Sequence, residues 1–148
     1  MKYFISAILM ISTATCFAGG PASTHFIGQK YGGGVIYFVS ADGVHGLIAE
    51  TTDQSVSSTW FDAIDKIKDL NNHSTDGKNF GDWRLPTKDE LTELYKHRNL
   101  VGTFADSGYW SSSEGVNFGT ASCLDFYSGG NYDTEKYGAM NVRAVRSF

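Results

Sequence analysis

The chain has 148 residues, of which 12 are Lys or Arg and 16 are Asp or Glu, so its formal net charge is −4 with neutral histidines. This length suits one compact domain with a sizeable core. The acidic balance and the lack of any basic run argue against nucleic acid as a partner. They also argue against strong binding to polyanionic surfaces, unless folding gathers Lys and Arg residues on one face.

The first 18 residues are typical of a secretory signal peptide. Lys2 provides a basic start, residues 4–11 form an apolar core, and Ala18 is the small residue before the expected cleavage point. The apolar run is too short to span a bilayer. We therefore expect an exported protein that is secreted, periplasmic or at the cell surface, with a short segment at 19–25 and a single domain at 26–148. Lipidation at Cys16 is a minor alternative.

Cys123 would be the remaining cysteine after cleavage, so no intramolecular disulfide is expected. It lies in the strand-like run 121–126, where a free cysteine usually packs as a small apolar residue. A catalytic thiol needs a cation or a histidine nearby, and no pattern in the sequence places one there. The serines at 111–113 lack the G-x-S-x-G pattern of a nucleophile elbow. We therefore predict a protein that is not an enzyme.

The first structured segment is predicted to be a β-hairpin. Two β-rich runs, at 35–39 and 45–49, flank a turn that contains Asp42 and Gly43, a pair that is typical of a tight turn. The glycines at 32–34 precede a strand and lack the Lys and Ser/Thr of a phosphate-binding loop. Close packing of the backbone is the better interpretation.

A helix is predicted to begin near Ser58 or Thr59. One buried face would be formed by Trp60, Ala63, Ile64, Ile67 and Leu70. The following stretch, 73–79, is polar and predicts a solvated loop. His73 and Asp76 in it could ligate a metal in principle, but two scattered ligands do not make a recognised site.

The stretch 81–98 contains the clearest local signals. Thr87 followed by Glu90 predicts a helix start with a capping box, and Leu91, Leu94 and Tyr95 would form its apolar stripe. Arg84, just before this helix, has no basic neighbours that would make an anion site, so we expect it in an ion pair at the rim of the core.

The last third of the chain is predicted to form β-strands. Runs at 109–113, 121–126 and 141–148 have strand character, and the last one alternates with period two. The alternation places at least one of Arg143 and Arg146 against a covered face. Asp125, Asp82 and Glu90 are the candidate partners.

Two aromatic and polar loops, 114–120 and 127–137, are the best candidates for a binding site. Sugar rings present apolar faces ringed by hydroxyls, so their sites combine exposed aromatic rings with amide and carboxylate groups. The residues predicted to bind ligand are Glu114, Asn117, Phe118, Tyr127, Asn131, Tyr132 and Asp133. Tyr137 has similar chemistry. Ordinary loop composition is the competing interpretation.

No metal site or cofactor is predicted. The acidic and amide side chains of the second loop, among them Asp125 and Glu135, could coordinate calcium through oxygen. They lack the ordered spacing of an EF-hand loop.

Four segments together resemble one family. They read I-G-Q-K-Y-G-G-G-V-I-Y-F-V at 27–39, G-D-W-R-L-P-T-K-D-E-L at 81–91, Y-W-S-S-S-E at 109–114 and V-R-A-V-R-S-F at 142–148. In this order they resemble the Lcl C-terminal domain family, named after a bacterial collagen-like adhesin. The resemblance implies an extracytoplasmic α+β domain, and the collagen-bearing relative is described as a trimeric, glycosaminoglycan-binding adhesin.

The W-R-L-P-T segment is also similar to formylglycine-generating enzymes and the wider C-type-lectin-like group. This similarity implies an α+β fold with two helices packed on antiparallel β-strands, C-type-lectin-like in type. The chain lacks the paired catalytic cysteines of those enzymes, the E-P-N or Q-P-D motif of calcium-dependent lectins, and the G-X-Y repeat of collagen. None of those three functions is therefore carried over.

The sequence as a whole predicts an exported, non-catalytic binding domain, lectin-like or adhesin-like. Its partner would be a glycan or a surface protein, bound through the late loops. The alternative is a structural or assembly subunit of a cell-surface oligomer, with a homo-oligomer as one form of it. A large apolar surface patch would favour this alternative.

Overall fold

A computed structural model describes residues 25–148, so the signal peptide expected at 1–18 and the segment after it, up to residue 24, lie outside the described residues. The strands run β1 Lys30–Tyr31, β2 Gly34–Val39, β3 Gly46–Ala49, β4 Ser55–Ser58, β5 Gly108–Glu114, β6 Thr120–Asp125, β7 Asn131–Glu135, β8 Met140–Val142 and β9 Val145–Ser147. The α-helices are α1 Trp60–Lys68, α2 Lys88–Lys96 and the short α3 Arg98–Val101, with two 3₁₀ turns at Leu70–Asn72 and Gly77–Asn79.

The strands form two sheets. The first is antiparallel with the order β1-β2-β3-β9, and the second has the order β4-β8-β5-β6-β7. Its pairs are antiparallel except for β5 and β8, which run parallel and are in register at Tyr109 and Asn141. The predicted α+β class is confirmed. The parallel pair and α3 are additions that the sequence did not indicate.

The predicted hairpin is the β2-β3 pair. Its turn uses Gly43 at a φ of 73°, a left-handed conformation that favours glycine. Asp42 Oδ1 accepts hydrogen bonds from Val44 N at 3.1 Å and from Ser40 Oγ. The turn is thus stabilised by its own side chains, which explains why a four-residue pattern was sufficient to predict it.

Both long helices begin where their caps predict. Thr59 Oγ1 accepts from Asp62 N at 3.2 Å at the start of α1. Thr87 and Glu90 form a reciprocal capping box at the start of α2, with Glu90 N donating to Thr87 Oγ1 and Thr87 N donating to Glu90 Oε2. One expected core residue is misplaced. Leu70 is exposed because α1 ends at Lys68 and a 3₁₀ turn follows.

The core has two parts, one on each face of the central strands. On β2 and β5, Ile36 and Trp110 face one cluster, whereas Tyr37 and Tyr109 face the other. Helix α1 contributes to the first cluster and α2 to the second. β2 is therefore covered on both faces along most of its length, and its sequence is apolar on both sides rather than alternating with polar residues.

Arg84 forms the structural ion pair that the sequence predicted. Its two terminal nitrogens donate to the two carboxylate oxygens of Glu90 at 2.6 and 2.7 Å. Glu90 thus caps α2 and also fixes Arg84, whose backbone pairs with Val145 beside β9. The contact joins the helix start to the edge of the first sheet.

Arg143 is almost fully buried, with 1% of its surface exposed. Its guanidinium contacts Asp53 Oδ1 at 2.7 and 2.8 Å and donates to the carbonyls of Glu50 and Thr103 at 3.0 and 2.7 Å. It also lies 3.8 Å from the ring centre of Phe104. All of its strong contacts come from distant segments.

The prediction of ion-pair partners was correct for one of the two terminal arginines and wrong for the other. Arg146 pairs with Asp82 at 2.7 Å, as one of the three candidates predicted. None of the three is the partner of Arg143, which pairs with Asp53 instead. Asp53 precedes β4 and is 90 residues away from Arg143 in the chain, so its contact with Arg143 depends on the fold.

The prediction that His73 lies in a solvated loop was wrong. Its side chain is fully buried, stacked on Trp83 at 5.6 Å between ring centres. Nδ1 lies 3.0 Å from Glu50 Oε1 and Nε2 lies 2.7 Å from the carbonyl oxygen of Ile67. Because a carbonyl only accepts, Nε2 carries a proton. The histidine is a structural link between the end of α1 and β3.

We predict that Arg143→Met lowers the free energy of unfolding by about 3 to 5 kcal/mol, because the largely buried carboxylate of Asp53 loses its charged partner. Urea unfolding near neutral pH measures the change. The matched control is Arg84→Met, where water reaches 41% of the arginine side chain and the expected loss is about 1 kcal/mol. Equal losses in the two variants would contradict the prediction.

A second prediction concerns Glu90 and the pH dependence of the free energy of unfolding. Burial alone raises the pKa of Glu90, but hydrogen bonds from Arg84 and from the Thr87 N–H outweigh it and hold the pKa below its usual range. Such a carboxyl contributes stability that is complete above its unfolded pKa of about 4.3 and is lost as the pH falls through the folded value. The free energy of unfolding should therefore fall less steeply between about pH 5 and pH 3 in Glu90→Gln than in the wild type. Urea unfolding across this range tests it, and identical slopes would refute it.

Candidate functional site

The residues predicted to bind ligand all lie on or beside the last strands of the second sheet. Glu114 ends β5, and Asn117 and Phe118 lie in the loop between β5 and β6. Tyr127 lies in the turn between β6 and β7. The other members, Asn131, Tyr132 and Asp133, are on β7.

The structure divides this set between the two ends of β6. Glu114 pairs with Ala121 near one end of the strand, whereas Asn131 pairs with Leu124 near the other. The five steps from Thr120 to Asp125 separate the two loops by about 17 Å. Glu114, Asn117, Phe118 and Asp133 therefore lie together, and Tyr127 and Asn131 do not belong to the same site.

Glu114, Asn117 and Phe118 of this group line an open groove of about 510 Å³. Two other elements complete it: Phe61 comes from the first turn of α1, and Lys136 and Tyr137 come from the connection between β7 and β8. The rings of Phe61 and Tyr137 are 5.6 Å apart. Phe118 is fully exposed and Tyr137 is 79% exposed, so aromatic surface is presented on more than one wall.

Lys136 holds the walls of this groove together. Its Nζ contacts Glu114 Oε2 at 2.5 Å and lies 4.2 Å from the ring centre of Trp60. Its backbone oxygen accepts from Trp60 N at 2.9 Å, and its backbone N donates to Gly119 O at 3.0 Å. One residue thus fixes α1, the end of β5 and the loop before β6 relative to one another.

The loop that carries Phe118 is fixed by its own hydrogen bonds. Asp133 Oδ2 accepts from Val116 N at 2.8 Å, and Thr120 Oγ1 donates to Asn117 O at 2.7 Å. Gly119 adopts a φ of 80°, which closes the turn behind Phe118. Phe118 is therefore exposed by a hydrogen-bonded loop, and Asp133 has a role in supporting that loop.

The residues at the opposite end of β6 make contacts within the fold. Asn131 Nδ2 donates to Thr92 Oγ1 at 3.2 Å, and Tyr132 Oη donates to Met140 Sδ at 3.6 Å. Tyr127 is largely exposed. Tyr132 at the same end is partly exposed.

The oxygens of Asp125 are occupied by the turn that they stabilise. Oδ2 accepts from Ser128 Oγ at 2.7 Å and Oδ1 from Tyr127 N at 3.1 Å, and these bonds hold the pKa of Asp125 below its usual range. Among residues 25–148, no group of three or more His, Cys, Asp or Glu side chains is arranged to hold a metal ion.

Sequence reasoning missed Phe61 and Lys136. Phe61 is an apolar residue that does not belong to the buried stripe of α1, and this misfit is the signal that could have found it. Lys136 gave no such signal, because its contacts with Trp60 and Glu114 link segments that are distant in the chain.

Cys123 is buried, as predicted, and its thiol donates to the carbonyl of Tyr132 at 3.3 Å. Burial raises the pKa of the Cys123 thiol to about 11, although this hydrogen bond lowers it slightly. Near neutral pH the side chain is therefore a thiol, which is a poor nucleophile.

We predict that a thiol-reactive disulfide reagent at about pH 8 labels Cys123 at least about 100-fold more slowly in the folded protein than in urea. Absorbance of the released thiolate follows the reaction. Cys123→Ala measures the background from any other thiol. Rapid labelling of the folded wild type above that background would show that the strand β6 opens or that the thiol is activated.

The comparisons with known proteins address the family. The model of the Lcl C-terminal domain matches residues 39–146, which covers most of the chain and nearly all of the described fold. None of the curated proteins compared with the chain matches it. Within residues 25–148, no helix has both the length and the apolar character needed to cross a membrane. On the strength of the family match, this chain is a member of the Lcl C-terminal domain family.

Proposed function

We propose that this protein is an exported, non-catalytic binding domain that recognises a glycan through the groove formed by Phe61, Phe118 and Tyr137. The observation that carries the proposal is the full exposure of Phe118 on a loop that its own hydrogen bonds hold in place. Exposing a large aromatic ring forgoes the free energy of burying it, so a rigidly exposed ring beside a groove is typical of a binding surface.

The chemistry around the ring suits a sugar. Phe61 and Tyr137 present further aromatic surface to the groove, against which the C–H face of a pyranose can pack. Glu114 and Asn117 supply carboxylate and amide groups beside these rings, and such groups exchange hydrogen bonds with sugar hydroxyls. The apolar face of a sugar can thus pack on the aromatic rings, and its hydroxyl groups can bond to the carboxylate and amide groups.

The groove also needs little rearrangement to bind. The contacts of Lys136 with Glu114 and Trp60 fix its walls before any ligand arrives. A preformed site loses less conformational entropy on binding than a flexible loop does. This favours recognition by the groove over recognition by Tyr127 alone at the other end of the sheet.

A second candidate function is supported by the same surface. Val116 is almost fully exposed next to Phe118, so the groove has an apolar edge that a partner protein could cover. In that case the domain would be an assembly subunit of a cell-surface oligomer. Sedimentation over a range of protein concentrations, with Phe118→Ala as the comparison, would reveal self-association through this edge.

We predict that the purified protein binds a subset of oligosaccharides on a glycan array and that Phe118→Ala weakens this binding at least about tenfold, because a stacking surface is lost. Tyr127→Ala is the matched control, since it removes an exposed aromatic ring at the opposite end of β6 and should leave binding unchanged. Circular dichroism checks that each variant is folded.

Two results would argue against the glycan proposal. If folded wild-type protein binds no oligosaccharide on the array, glycan recognition is excluded for those sugars and the assembly role becomes the leading function. If Tyr127→Ala loses binding and Phe118→Ala does not, the site lies at the other end of the sheet.

A further inference from the structure

The groove is lined by one basic residue, whose charge is already paired with a carboxylate of the protein. Among the residues that line the groove, Lys136 is the one with a cationic side chain. Its ammonium contacts Glu114 Oε2 and lies above Trp60, and only 12% of the side chain is exposed. A ligand anion would have to displace Glu114 to reach it.

Acidic groups surround the same groove. Glu114 itself is 67% exposed, and the carboxylate of Asp133 supports the loop from below through Val116 N. The carboxylate of Glu135 lies beside Gly119, with Oε2 3.7 Å from the position a Cβ would take there. The carboxylates of Glu114, Asp133 and Glu135 therefore accompany one ammonium at the groove, and the local charge is negative.

The start of α1 does not offset this charge. The N-terminal end of a helix attracts anions through its free N–H groups. Here Trp60 N donates to the carbonyl of Lys136, and Asp62 N donates to the cap residue Thr59. Asp62 adds its own negative charge at this helix end. Two of the N–H groups in this first turn are therefore already used within the fold.

We propose that the groove selects uncharged glycans and discriminates against sulfated or carboxylate-bearing ones. This inference rests on the proposed function and adds the class of ligand. An uncharged pyranose can stack on Phe118 and donate hydroxyl hydrogen bonds to Glu114 without approaching a like charge. An anionic sugar is repelled by each nearby carboxylate, and no unpaired cation among the groove residues offsets this repulsion.

The test compares array oligosaccharides in matched pairs that share a sugar backbone and differ only in sulfate or carboxylate groups. Binding is measured at about 0.05 M and about 0.5 M salt, because screening weakens interactions between exposed charges. We expect the uncharged member of each bound pair to be preferred at least about fivefold at low salt, with an affinity that salt changes less than about twofold. The preference should shrink at high salt.

A charge-reversal variant makes the test specific for this groove. Glu135→Lys places a cation beside Gly119 and should raise the affinity for sulfated members about threefold or more at low salt. Asp106→Lys is the matched control, since it makes the same change in net charge on an exposed residue just before β5, whereas the groove lies at the end of that strand. It should leave the selectivity unchanged.

The outcomes separate the two proposals. Preferential binding of sulfated oligosaccharides, falling with salt, would overturn the charge selectivity and leave the glycan-binding function standing. Equal effects of Glu135→Lys and Asp106→Lys would also overturn it, because selectivity would then follow net charge and not the groove. Binding of neither class by folded protein would overturn both proposals.

Discussion

The buried contact between Arg143 and Asp53 is the constraint on which the arrangement of the two sheets depends. Arg143 lies between β8 and β9, which belong to different sheets. Its guanidinium reaches the carbonyls of Glu50, next to β3, and of Thr103, after α3. Asp53 in turn accepts a hydrogen bond from Tyr109 of β5 at 2.9 Å. A single cation thus bonds to polar groups of Glu50, Asp53 and Thr103, and such partners are what make a buried guanidinium tolerable.

In the candidate groove, a cation on the surface likewise contacts several segments that are distant in the chain. Lys136 is the residue on which α1, the end of β5 and the loop before β6 converge, and it meets a carboxylate and an aromatic ring there. The difference is that the groove leaves apolar rings uncovered around the charged pair. Polar contacts hold the walls, and the rings remain available to a ligand.

The features that could be predicted from the sequence are those determined by neighbours along the chain. The capping box of Thr87 and Glu90 spans three residues, and the Asp42-Gly43 turn is stabilised within five. Arg143 and Asp53 are 90 residues apart, and His73 reaches Glu50 across 23. No periodic pattern encodes such pairs, so polar stretches that contain a buried partner were assigned to solvent. The groove was predicted only in part for the same reason. Phe118 is recognisable as an aromatic residue in a polar loop, whereas the position of Phe61 at the groove depends on where α1 packs.

The parallel pairing of β5 with β8 has a consequence for how the protein acquires its structure. β8 lies between β4 and β5 in the middle of the second sheet, and β9 closes one edge of the first. Both strands come from residues 140–147, so neither sheet can be completed until the end of the chain is available. Contacts between such distant segments slow folding, because a long loop must close before they form. A chain that emerges from its N-terminus would therefore stay without its final tertiary structure until residues 140–147 have emerged.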